Sequence, residues 1–428
     1  MGSINIDNTG SGGGVTLSSD GTSLLLGGSA VGGSPDLFAE NPSSPTAPSA
    51  TGSNSVAIGS ESESTGTRSI SIGTGLASGG GGIALGSSTA SGSSSFAAGG
   101  GGQNTASGVG AMSIGAYNTS SGTYSVAIGY GCTSNNTNTV AIGRNAIAND
   151  GQRAVSLGKS YASGTDSFAA AIATNSGSYG AKGTNSIAMG LNAKAAGQES
   201  TAIGGKFATA NAFGAIALGH INANGTASIG LGASSANYRG SASSTGSIAI
   251  GWGRAAASTP VASAEGAVAL QHGRAAQKGK FAFAYDPVGD NSVSQTGILV
   301  LRATTSSATA VALTTNRGDS NTASSDNQII LPNNSAYSFS GTIVARQQAA
   351  DGTACAAWKV EGLIRREGSA GTTVLVNSAT TVLDNTPNWG MALSADTTNG
   401  ALAITVTGAA STDIRWVATI HTSEVTYA

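Results

Sequence analysis

Over much of the first two thirds of the chain, branched apolar residues alternate with Ala or Ser in a short phrase that closes on Gly. Ser-Val-Ala-Ile-Gly stands at 55–59 and again at 125–129. Variants include Ser69-Ile-Ser-Ile-Gly73, Met112-Ser-Ile-Gly115, Thr139-Val-Ala-Ile-Gly143, Ala154-Val-Ser-Leu-Gly158, Ser186-Ile-Ala-Met-Gly190, Ala202-Ile-Gly204, Ala215-Ile-Ala-Leu-Gly219 and Ser247-Ile-Ala-Ile-Gly251. Closing glycines fall at 59, 73, 86, 99, 115, 129, 143 and 158, then at 190, 204, 219, 230 and 251, most often fourteen apart. A period of two predicts a strand. The closing residue predicts a tight turn at Gly59, Gly73, Gly115, Gly129, Gly143, Gly158, Gly190, Gly204, Gly219 and Gly251. A unit this short holds two brief strands and two turns, and it buries its apolar face only by stacking on its neighbours. About fifteen coils at roughly 4.8 Å each predict a shaft about 70 Å long.

The two faces of the strand differ. Val56 and Ile58 share one side and Ala57 takes the other. Assigning the branched residues to the coil interior leaves a small, neutral Ala/Ser face outside, which suits close contact with another chain. That assignment predicts a homotrimer in which Ala57→Glu or Ala141→Glu weakens assembly. A monomeric solenoid with a neutral surface is the alternative.

After Lys278 the pattern changes, and charges and aromatics return. Candidate strands are Ile298–Thr304, Ala310–Thr315, Gln328–Leu331, Tyr337–Arg346, Ala354–Arg366, Thr372–Asn377, Met391–Ser394, Ala401–Thr407 and Asp413–His421. Trp358, Val360 and Ile364 alternate with Lys359, Glu361 and Arg365, which predicts an antiparallel sheet with one buried face. Turns are expected at Asp351-Gly352 and Asn399-Gly400. The fold class is therefore all-β: a trimeric parallel β-roll or solenoid, then an antiparallel β-sandwich of jelly-roll type. Domains are expected at 1–50, 51–277 and 278–428. In the first, Ile4–Ile6, Val15–Leu17 and Leu24–Leu26 are candidate short strands, and Pro42–Pro48 reads as a linker. Virion attachment or a flexible leader both fit that segment.

Composition narrows the function. Of 428 residues 65 are Gly and 9% are charged, with a net charge of −2, so no nucleic-acid partner is indicated. Regular Val and Ile spacing argues against disorder. No apolar run approaches the ~18 residues of a membrane helix, and the N-terminus lacks a signal-peptide pattern, so no membrane insertion and assembly in a cytoplasm are expected. Cys132 and Cys355 are expected to be small buried residues. His220, His272 and His421 have no second ligand at zinc spacing, so no metal or cofactor is expected. Arg317-Gly318-Asp319 spells an adhesion tripeptide that a turn explains equally well. No phosphate loop, nucleophile elbow or recurring carboxylate pair is present, so no enzyme is expected.

The repeated phrase at fourteen-residue spacing, over roughly Asn54 to Gly273, resembles the head repeats of YadA-type trimeric autotransporter adhesins. That resemblance implies a trimer of left-handed parallel β-rolls used for attachment. The chain shows no signal peptide, heptad stalk or membrane barrel, which argues against a secreted autotransporter. Gly279-Lys-Phe-Ala-Phe283, Leu331-Pro-Asn-Asn-Ser-Ala-Tyr337 and Trp358–Arg366 are similar to C-terminal regions of bacteriophage tail-fibre and virion proteins, which implies a virion part made in the bacterial cytoplasm. The leading expectation is a homotrimeric, non-enzymatic tail fibre or spike that binds a host glycan or protein. A capsid decoration or cement trimer that binds other virion proteins is the alternative, and a bacterial trimeric adhesin a third. The small shaft side chains place the receptor site in the terminal domain, where Trp389, beside Pro387 and Asn388, is either a sugar platform or a core plug. Extra residues near Tyr238, Arg239 and Pro260 are expected to form loops or a collar.

Overall fold

Alternation with a small residue at every second position lets a chain wind tightly, and the repeats wind into parallel β-coils. The structure is a computed structural model. It describes residues 4–6, 15–19, 24–26, 29–31, 46–170, 178–204, 207–234, 239–253, 259–285, 293–316, 322–348 and 354–427, in two units, 1–153 and 154–428. About fifteen coils occur in all, and no α-helix is present among the described residues. Tyr238, the tripeptide at 317–319, the turn at 351–352 and most of the Pro42–Pro48 stretch lie outside the described residues.

In the first unit, Ile4–Ile6, Val15–Ser19, Leu24–Leu26 and Ser29–Val31 form a four-stranded antiparallel meander. The coils begin at Ser49–Ala50. Each has a long strand, such as Val126–Tyr130, and a two-residue strand, such as Thr133–Ser134. Val126, Ala127, Ile128 and Gly129 pair in register with Val140, Ala141, Ile142 and Gly143 of the next coil.

The faces are the reverse of the sequence expectation. Ala127 and Ala141 are wholly buried, whereas Val56, Ile72 and Ile142 are each about 40% exposed. The cause is steric: between the two sheets most inner strand positions have room only for Ala or Ser, and larger groups such as Asn118, Cys132 and Ile221 sit at a corner. Many of the buried serines are hydrogen-bonded, although Ser95, Ser167, Ser186 and Ser228 leave their hydroxyls without a partner. Ser120 Oγ and Ser125 Oγ lie 2.7 Å apart, and Ser125 Oγ donates to Gly122 O at 2.7 Å. Inside one corner, Asn118 Nδ2 donates to Ile114 O and Gly129 O, both at 2.8 Å, and its Oδ1 accepts the Cys132 amide. Cys132 occupies the next place in that ladder, and burial raises its thiol pKa. Cys355, by contrast, is exposed, a correction to the expectation that both cysteines are buried.

The two corners of a coil obey different rules. Within each unit the step from short strand to next long strand is constant: Ser120 to Val126, Ser134 to Val140, Ala181 to Ile187 and Ala262 to Val268 are all six positions. This corner is packed backbone on backbone. A Cβ on Gly108 would lie 2.0 Å from Gly122 O. It also holds a column of left-handed residues, among them Arg68, Ser94, Tyr124, Glu199 and Ala227, all with φ between +52° and +58°. The opposite corner, after the closing glycine, varies: Ile128 to Thr133 takes five positions, Leu218 to Asn222 four and Ile250 to Val261 eleven. The ten expected turn glycines sit there with φ from +69° to +151°. Gly232, not Gly230, closes its coil, because Gly230 aligns with Ala217 and Ala249 on the inner face.

The left-handed column carries a testable cost. Ala227 is exposed at φ +52°, where a Cβ costs about 1–2 kcal/mol. Ala227→Gly is expected to raise unfolding stability by about 1 kcal/mol, after the greater freedom of Gly in the unfolded chain is subtracted. Chemical denaturation checks this, and a destabilised variant would refute it.

In the second unit the last parallel strand, Phe281–Ala284, pairs antiparallel with β1 (Val293–Thr305). The terminal region then adds β2 (Ala310–Ala312), β3 (Ile329–Ile330), β4 (Ser335–Gln347), β5 (Cys355–Arg366), β6 (Val374–Asp384), β7 (Gly390–Asp396), β8 (Ala401–Thr407) and β9 (Ile414–Thr426). One antiparallel sheet runs β1-β9-β4-β5-β6. In a second, β8 pairs β7, β2 and β3, and Asn399-Gly400 makes the β7–β8 hairpin. Leu299, Leu301, Phe339, Ile343, Val360, Ile364 and Trp416 of the first sheet share one core with Leu402, Ile404 and Val406 of the second.

Candidate functional site

Trp389 lies inside this core, 5% exposed, which takes it out of contention as a sugar platform. Its ring centroid is 5.8 Å from Trp416, which itself stacks on Trp358 at 5.8 Å. The turn serves the burial: Asn385 Oδ1 accepts the Trp389 amide at 2.9 Å, and Asn385 Nδ2 donates to the Trp389 carbonyl at 2.8 Å. Trp416 Nε1 donates to Thr305 Oγ1 at 2.9 Å, so that indole is satisfied too.

Three exposed features remain. First, the outer faces of the coils carry rows of apolar residues in both units, such as Ile128 and Ile142 in one and Met189, Ile203 and Leu218 in the other. Second, the coils are not uniformly small outside: Tyr117, Tyr124 and Tyr130 are at least half exposed, and Tyr117 packs edge-on to Tyr130 at 5.4 Å. Third, among the described residues β6 pairs only with β5 and exposes Val374, Val376, Val382 and Leu383, while Val344 and Val417 pair on the outer face of the same sheet.

A cleft of about 410 Å³ opens where the last coils meet the terminal sheet, a volume within the range of ligand sites. Arg274, Gln277 and Lys280 line it from the coil side, Gln295, Ile330, Leu331, Pro332, Tyr337, Arg366 and Thr426 from the other. Behind it lies a buried ion pair. Lys280 Nζ sits 2.7 Å from both carboxylate oxygens of Glu424, with the two side chains 3% and 0% exposed. Gln295 Nε2 donates to the same carboxylate at 2.7 Å and Thr422 Oγ1 at 2.6 Å. Burial pushes the Lys280 pKa down against the pull of Glu424, and burial followed by that same charge pushes Tyr337 well up. Gly297 makes room for the pair, since a Cβ there would lie 2.4 Å from Glu424 Oε1. No sequence motif announces it, for Lys280 and Glu424 are 144 residues apart.

Residues 50–75, 106–131, 134–160 and 181–206 match the family described as the YadA head domain repeat. These four stretches of the chain are similar to YadA head repeats. All four matches lie in the coils, and none reaches the terminal sheets. No curated protein matches the chain. Among solved structures, the tailspike protein gp49 of Acinetobacter baumannii bacteriophage Fri1, a capsular polysaccharide depolymerase, is similar over 88% of this chain and 71% of its own, at 10% identity and a TM-score of 0.22. That finding overturns the exclusion of enzymatic activity drawn from the sequence, and the exclusion is withdrawn. It rested on the lack of a phosphate loop, a nucleophile elbow and a recurring acid pair, yet a fold can bring together catalytic groups that no motif announces. At a TM-score of 0.22 the likeness assigns neither a catalytic residue nor a substrate to this chain.

Proposed function

We propose that the chain is a homotrimeric bacteriophage tail fibre or spike that attaches the particle to its host, with a terminal domain of jelly-roll-like sandwich type. One observation carries the reading: the coils keep Ala and Ser inside and hold their Ile and Val rows outside, where a lone chain leaves them in water. A contiguous apolar surface of this kind marks an interaction face. Like copies of one face around an axis cover it. The repeats support the trimer, since the family they resemble is built of three rolls. The exposed edge strand β6 and the Val344/Val417 pair offer the terminal region the same kind of contact. The sandwich reading is supported by two antiparallel sheets sharing one core. The virion reading is supported by the similarity of the terminal sequence to tail-fibre regions.

Ile128→Lys with Ile142→Lys separates a covered face from a bare one. On a solitary coil these surface changes cost within about 0.5 kcal/mol. In a trimer they bury unpaired charge and cost several kcal/mol. Sedimentation is expected to give a trimer for the native chain and a folded monomer for the variant. A native monomer ends the proposal. Labelling intact particles places the protein on the tail; a label on the shell instead favours the decoration role.

A further inference from the structure

We infer that the cleft between the last coils and the terminal sheet binds an acidic sugar, a uronic-acid residue of a surface polysaccharide. The inference rests on the attachment reading and names the receptor chemistry and the site.

The charge of the cleft points to an anion. Glu424 is already matched by Lys280, so that pair adds no net charge. Arg274 and Arg366 remain, both half-buried, and neither has a carboxylate partner among the described residues. Arg366 is held in place by donation from Nη1 to Leu331 O at 2.7 Å, which leaves its Nε without a partner. A planar guanidinium fixed in this way presents a fork that matches a carboxylate.

Unpaired polar atoms around the cleft point to hydroxyls. Gln277, 7% exposed, donates through Nε2 to Ile330 O, while its Oε1 has no partner. Thr426, 8% exposed, has an unpaired Oγ1. Leaving such atoms buried and unmatched costs about 1–3 kcal/mol each. These atoms are covered as the cleft stands, and a ligand with hydroxyl donors and acceptors next to a carboxylate satisfies them once small side-chain shifts uncover them. Leu331 and Pro332 give an apolar wall for the C–H face of a sugar ring. A simple anion meets the arginines but not Gln277 and Thr426, and a neutral sugar does the reverse.

The test is titration of the whole 428-residue chain with glucuronate, glucose and acetate, followed by calorimetry or ligand-observed NMR. Glucuronate is expected to bind, with glucose and acetate each at least about tenfold weaker, the loss expected from one charge-assisted hydrogen bond. Arg274→Gln and Thr426→Val are expected to weaken glucuronate about tenfold or more while melting stays native. Two variants on different elements guard against a local folding defect in either. No glucuronate binding by the native chain overturns the inference, and so does equal binding of glucose or acetate, or a cleft filled by ordered water alone. Adsorption to host cells is measured on the same samples. Adsorption without glucuronate binding removes the cleft and keeps the attachment role, whereas glucuronate binding without adsorption keeps the cleft and removes the role.

Discussion

Ala141→Glu is expected to abolish folding of the coils around it, not merely to separate subunits. Ala141 is wholly buried, in register with Ala127, and the space around it was shaped for a methyl group. A glutamate there must bring its charge inside with no partner or strain the coil open, at a cost of several kcal/mol. Circular dichroism and melting of the first unit's coils in the full chain should show lost β-structure and a much lower transition. Had the alanines faced another chain, as the alternation first suggested, the same variant would be a folded monomer. A folded monomer with native melting would therefore restore that earlier assignment.

The second large effect concerns the pair behind the cleft. Lys280→Met is expected to cost about 3–5 kcal/mol, because Glu424 then stays buried without its cation. Lys280→Met combined with Glu424→Leu is expected to recover most of that loss, since a buried pair replaced by apolar residues is often near neutral. Recovery stays incomplete, for Gln295 and Thr422 lose an acceptor. Denaturant titration of native, single and double variants gives the coupling. A double variant as unstable as the single one would show that the carboxylate draws its stability from Gln295 and Thr422 rather than from Lys280.

How far the sequence leads can be read from particular residues. The repeat phrase predicts the coil because a period of two with a closing Gly leaves few other structures. It does not say which face is inside: Val126 and Ala127 are both apolar, and only the narrow gap between the sheets decides for Ala. Ile229-Gly-Leu-Gly232 offers two candidate closing glycines, and only pairing with Gly219 and Gly251 selects the second. The left-handed column hides because Arg, Ser, Tyr and Glu all occupy it, although Gly at 81, 110, 214 and 246 was a signal available in the same column. Trp389 sits in a Pro-Asn-Trp-Gly turn, and nothing local reveals that the turn folds inward onto Trp416. The cleft was the least legible, because it is assembled from residues near 277, 331, 366 and 426, which share no pattern along the chain.

The constant corner and the variable corner have a consequence for how such a chain can change. A coil can be lengthened at one flank without disturbing its neighbours, because the strand pairing above and below is set by the other flank. New material therefore accumulates as side branches on a fixed ladder, each rung free to carry a different one. A foreign peptide grafted after Tyr130-Gly131 meets a corner where spacing already varies from four to eleven positions between coils. The same peptide placed between Ser120 and Val126 meets a corner whose length is the same in every coil of its unit. A library made at the variable flank, past the closing glycine, is expected to sample sequence and length while the ladder of strands stays in place.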